Sequence, residues 1–135
     1  MNATELKAIL AQHKLWIESG RKKGKHANLQ HANLQHANLR DTNLRGANLL
    51  GANLQDAYLA GTNLQDANLQ DANLLGVYLL RADWSRATFD LNFKKVANFR
   101  HATFSEDQIA WVCLHPKYHE WADTLKWMKA ERLSA

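Results

Sequence analysis

The chain has 135 residues, a length that suits one domain with short additions. Its 17 basic and 13 acidic residues leave a net charge of +4, and Cys113 is its single cysteine, so no intrachain disulfide forms. No apolar run is long enough for a signal peptide or a membrane span, and the expectation is a soluble, cytoplasmic protein with no membrane partner.

Residues 3–19 place Leu6, Ile9, Leu10, His13 and Ile17 on one helical face. Asn2 and Glu5 have capping-box spacing, and Gly20 can end the helix. The segment 1–25 is therefore expected to be a capping helix followed by a basic linker. It holds Lys7, Lys14, Arg21, Lys22, Lys23 and Lys25 against Glu5 and Glu18, so most of the excess charge lies here. Arg21–Lys25 reads as a solvated linker. A nucleic-acid patch is disfavoured, because no aromatic side chains interleave with the basic ones.

From His26 the chain falls into sixteen blocks of five, starting HANLQ HANLQ HANLR DTNLR GANLL and ending at Ser105. Leu holds the fourth place of every block from Leu29 to Leu79. The second place is nearly always Ala, with Thr42, Thr62 and Val77 as close substitutes. Period five fits no single regular element. On an α-helix five residues turn about 500°, so successive Leu side chains land about 140° apart and make no stripe. On an unbroken strand an odd period sends them to alternate faces. The pattern works only if the chain bends once per block. Ala and Leu, two apart, then point together into the interior of a coil. Asn and Asp in the third place have poor strand propensity and good turn chemistry, which suits a polygon built mostly of corners.

The number of sides is open on spacing alone. Tyr58 and Tyr78, like Thr42 and Thr62, are twenty apart and favour four blocks per coil; Gly46, Gly61 and Gly76 are fifteen apart and favour three. The run resembles the pentapeptide-repeat family, whose pattern is A-(D/N)-L-X-X, over residues 26–105, about 60% of the chain. The resemblance implies a mainly β fold, a right-handed quadrilateral parallel β-helix of about four coils. Its inward core would be Leu29, Leu34, Leu39, Leu44, Leu49, Leu54, Leu59, Leu64, Leu69, Leu74, Leu79, Trp84, Phe89, Phe99 and Phe104, with the small residues from Ala27 to Ala102 beside them. Four coils at the strand spacing stand about 19 Å tall. Residues 91–95, LNFKK, break the pattern, and a bulge with Phe93 inward and Lys94 outward is expected.

Open coil ends require caps. Residues 106–135 read as a second, helical cap. Ser105 and Gln108 have capping-box spacing before Ile109–Leu114, and Pro116 can open another helix. On that helix Tyr118, Trp121, Leu125 and Met128 share a face, with Trp127 off it. The same helices could join two copies, so a monomer or a dimer through the C-terminus is expected.

No metal, cofactor or catalytic residue is assigned. His26, His31 and His36 fall on successive corners of a four-sided coil and cannot converge on one ion; they read as solvated corner residues, with a contact from His36 to Asp56, one coil along, as the alternative. Cys113 has no activating base in sequence and reads as a small packed residue. The outward feature of interest is Tyr58, Ala60, Tyr78 and Leu80, which share one face at twenty residues per coil. The tyrosines form a bare ladder, are covered by a terminal segment, or make a partner-binding patch. The expected function is a non-enzymatic scaffold for an unknown protein partner, as the resemblance implies; its relatives are numerous in cyanobacteria. Some relatives mimic DNA and act on DNA gyrase, an alternative that the near-neutral repeat and short tower oppose. Nucleic-acid binding through the basic linker is a further alternative.

Overall fold

The computed structural model describes residues 1–89. Expectations for Phe99 and Phe104, the 91–95 bulge, Cys113, the C-terminal helices and dimerisation through them lie outside the described residues, as does the side chain of Phe89.

Helix α1 spans Ala3–Glu18. Its capping box is complete: Asn2 Oδ1 accepts from the Glu5 N–H at 2.9 Å, and Glu5 Oε2 accepts from the Asn2 N–H at 3.0 Å. Ser19 ends the helix, and Gly20, at φ +63°, turns the chain away. Leu6, Ile9 and Leu10 pack against the leucine core.

The remainder of the described chain is a coil that repeats every twenty residues. Parallel bridges join Asn28 to Asn48, Asn33 to Asn53, Asn38 to Tyr58 and Asn43 to Asn63. The series continues through Asn48–Asn68, Asn53–Asn73, Tyr58–Tyr78 and Asn63–Asp83. Two short strands, β1 (Asn68–Leu69) and β2 (Thr88–Phe89), pair in parallel with the same offset. Four blocks therefore make one coil. Gly46, Gly61 and Gly76, whose spacing of fifteen pointed to three blocks, sit at three different corners.

The backbone explains why five residues suffice. In block 46–50 every N–H has an acceptor. Gly46 donates to Gln65 O, Leu49 to Asn68 O and Asn48 to Ala27 O, all between coils. Ala47 donates to Leu44 O across the corner, and the Leu50 N–H is taken by the Asn48 side chain at 3.2 Å. Three bonds thus build the ladder, one closes a turn and one is satisfied locally, leaving no orphan donor. The corner turn requires φ > 0 at its third residue, the first place of the next block. All twelve such residues from His31 to Arg86 have φ between 54° and 69°. Gly, Asp and His recur there because they tolerate this conformation better than other residues.

Leu29 to Leu79 in the fourth place are buried, none exposed beyond 4%, and Trp84 continues the column fully buried. Each buried leucine contributes about 1.5–3 kcal/mol, most of it offset by the entropy of ordering the chain. Thr62 fills an alanine place because its hydroxyl donates to Leu39 O at 2.8 Å, so its buried oxygen is satisfied.

Candidate functional site: the outer faces of the coil

Third-place and fifth-place side chains point outward in each block. On three of the four faces the third place is polar in every described coil. Asn side chains there accept from the N–H two residues on, as Asn53 does from Gln55, and stack between coils, as Asn73 donates to Asn53 at 3.0 Å. The remaining face carries Asn38, Tyr58 and Tyr78. Tyr58 and Tyr78 stack with centroids 5.1 Å apart and planes within 7°. The Arg40 guanidinium sits 4.6 Å from the Tyr58 ring centroid, a cation–π contact. Tyr58 is thus half-buried in the stack, whereas Tyr78 is 41% exposed and Leu80 36%. Ala60, half-buried, lies between Arg40 and Leu80 in the fifth-place column. The ladder exists, and its C-terminal member is open to solvent.

The three linker-side histidines do not converge. Among the described residues no group of three His, Cys, Asp or Glu could hold a metal. His26 Nε2 donates to Gly46 O, and the His31 ring lies over Gly51. The alternative of a His36–Asp56 contact is not realised. The Asp56 carboxylate accepts from Gln55 Nε2 at 3.3 Å and lies over Gly76, where the next coil has no side chain to fill the corner. An ion pair does form on a corner column between Asp66 and Arg86, bidentate at 2.6 and 2.9 Å, with Arg45 at 3.6 Å. The Arg86 hydrogen bonds, with the charges of Arg86 and Arg45, hold the Asp66 carboxyl below the ordinary carboxylate range.

The basic run is not a loose linker. Ser19 Oγ accepts from the N–H groups of Lys22 and Lys23, Lys25 donates to Gln12 O, and Gly24 lies flat against the helix backbone. Folding back brings the Arg21 guanidinium to 5.0 Å over the Trp16 ring. Sequence order hid this, because the aromatic residue precedes the run by five positions and meets it only after the chain turns.

The role of His13 was also hidden. It is fully buried, its Nδ1 accepts from the Ala27 N–H at 3.0 Å, and its ring stacks on Trp16 with His26 edge-on. The one available signal was a histidine on an otherwise apolar helical stripe.

Pentapeptide repeats, in eight copies, match residues 25–59. No curated protein matches the chain. Among solved structures, alr5209, a pentapeptide repeat protein from Nostoc Pcc 7120, is similar with a TM-score of 0.56 and 26% identity, covering 70% of this chain and 74% of that one. HetL, a pentapeptide repeat protein involved in heterocyst differentiation regulation from the cyanobacterium Nostoc sp. strain PCC 7120, is 31% identical with a TM-score of 0.46, covering 57% of this chain. This chain covers only 34% of the HetL chain. With the five-residue period and the twenty-residue ladder, the chain carries pentapeptide repeats and is similar to pentapeptide repeat proteins of cyanobacteria.

Proposed function

We propose that the protein is a non-enzymatic scaffold whose face bearing Tyr58, Ala60, Tyr78 and Leu80 binds a protein partner. In this reading the coil is a right-handed four-sided β-helix, and α1 caps its N-terminal end. The observation that carries the proposal is the Arg40–Tyr58–Tyr78 stack, ending in an exposed ring beside exposed Leu80. The backbone ladder does not need these side chains, since Asn serves in the same third place elsewhere. An aromatic stack next to an exposed aliphatic residue suits an interface better than a solvated wall. Catalysis has no support, because the outward groups diverge around a convex surface rather than meeting in a pocket.

The test is capture from the native cell, repeated with the purified partner, using the wild type and Tyr58→Ser/Tyr78→Ser. Loss of the interaction in a variant that keeps the wild-type circular dichroism spectrum is expected. Equal binding by both proteins discards the reading.

One observation favours a second reading, polyanion binding by the ordered basic loop: its backbone is pinned while Lys22, Lys23 and Lys25 are exposed. Trp16, already engaged by Arg21 and His13, offers little stacking surface to a nucleobase. Retarded DNA on a low-salt gel, lost with added salt, would favour this reading. DNA mimicry is weaker. Residues 26–89 carry Arg40, Arg45, Arg81 and Arg86 against five aspartates, far from the dense negative charge of a duplex.

A further inference from the structure

We propose that His13 makes the docking of α1 on the first coil conditional on a neutral imidazole, so that mild acid releases the helix and uncovers the coil's N-terminal edge. The argument begins with hydrogen-bond direction. Nδ1 accepts from the Ala27 N–H at 3.0 Å, so Nδ1 carries no proton and Nε2 does. Adding a proton to the ring puts an N–H at Nδ1, facing the Ala27 N–H. Two donors then oppose each other in a site with no exposed surface. The bond is lost, and the Ala27 N–H, the first donor of the coil, is left buried without an acceptor.

No hydrogen bond to the ring compensates for the added charge. Nε2 has no hydrogen-bond partner. Trp16 covers one side of the ring at 5.5 Å, and His26 approaches edge-on at 5.5 Å. The charged groups that share a groove with Trp16 are Arg21, over its ring on the loop, and Arg45 and Asp66 at the neighbouring corner; Lys22, Lys23 and Lys25 on the loop are exposed. Asp66, the carboxylate among them, is already held by Arg86 and Arg45. The Arg45 backbone carbonyl favours the charged ring, but it is too poorly placed to accept a hydrogen bond. Burial first, and then His26, hold the His13 imidazole below its ordinary value of 6.5.

The sign follows from linkage. The docked state binds a proton less readily than the released state, so docking is fully favoured above pH 6.5. It weakens as pH falls from there towards the depressed docked-state value. Release has a structural consequence. In later coils each third-place N–H donates to an earlier coil, as Asn48 does to Ala27 and Asn53 to Ala32. Asn28, Asn33, Asn38 and Asn43 have no earlier coil, and Leu6, Ile9 and Leu10 of α1 pack on the leucine core at this end, so release of α1 uncovers the end of the core beside an unpaired strand edge.

The experiment uses the full chain. Hydrogen-exchange protection of the Ala27 amide is followed from pH 8 to pH 4.5 by NMR, alongside the Leu49 and Leu54 amides inside the coil and the His13 ring nitrogens. The expected result is a fall in Ala27 protection of up to about tenfold per pH unit below pH 6.5, coincident with protonation of His13 Nδ1, while Leu49 and Leu54 stay protected. In His13→Gln, whose side-chain oxygen can accept from Ala27 but does not titrate, protection should be flat across the range. Ala27 protection that is independent of pH in the wild type overturns the proposal, as does a parallel fall in His13→Gln. Should His13→Gln fail to dock even at pH 8, the wild type decides: coincidence of Nδ1 protonation with loss of Ala27 protection supports the switch, and separation of the two overturns it.

Discussion

Gly24 lies against the backbone carbonyl of Gln12 with no room for a β-carbon between them, and the next residue, Lys25, donates to that same carbonyl at 3.2 Å. One contact therefore latches the basic loop to α1. Gly61 offers a contrast. A β-carbon there would meet the Asp41 carboxylate, the free end of a side chain that can rotate away. Gly61→Ala should cost only the left-handed backbone penalty, about 1–2 kcal/mol. Gly24→Ala should in addition break the latch and abolish hydrogen-exchange protection of the Lys25 amide. Persistence of that protection would show that the loop is held by Ser19 alone.

Truncating the leucine column should be costly in proportion to burial. Leu54→Ala removes a fully buried side chain and should destabilise by about 2–5 kcal/mol in urea denaturation. Leu75, in the fifth place of its block, is 36% exposed, and Leu75→Ala should change stability by no more than about 0.5 kcal/mol. Similar costs at the two positions would contradict the inward and outward assignment.

Asn53 performs two tasks with one oxygen: Oδ1 accepts from the Gln55 N–H at 3.2 Å and from Asn73 Nδ2 at 3.0 Å. Asn53→Ala strands both donors and should cost about 1–2 kcal/mol, with faster exchange at the Gln55 amide. Asn53→Asp keeps an acceptor for both and should retain most of the protection.

The Asp66–Arg86 pair sets a pH dependence of the same direction as that of His13, beginning at a lower pH. The folded-state pKa of Asp66 is lowered, chiefly by the Arg86 hydrogen bonds. Its contribution is therefore present above the ordinary value of 3.8 and is lost as pH falls through the depressed folded value. Both side chains are largely exposed, so the effect on stability should be small and salt-sensitive. The direct readout is the Asp66 carboxyl resonance. In Arg86→Ala its titration should move back towards the ordinary range, and an unchanged midpoint would assign the shift to Arg45.

Much of this architecture was legible in the residues themselves. Leu and Ala two apart in a five-residue period dictate an inward pair and a bend in every block, because no regular element holds that period on one face. Asn2 and Glu5 announced the start of the helix, and Gly20 announced its end. The spacing of Tyr58 and Tyr78 placed them on one face once a coil was taken as twenty residues.

Three features required the folded chain. Twenty rather than fifteen residues per coil was decided by the inter-coil hydrogen bonds, since Gly, Asp and His all serve at the same left-handed corner and the glycine spacing carries no count. The partners of the corner side chains depended on what stood one coil away: Asp56 met Gly76, not His36, and Asp66 met Arg86. The position of α1 brought His13 onto the Ala27 N–H and Trp16 beneath Arg21. Sequence periodicity reports which way a side chain points relative to its own backbone. Contacts between a helix and a coil edge depend on how the chain returns upon itself, and that is decided by burial and by hydrogen bonds made across distance.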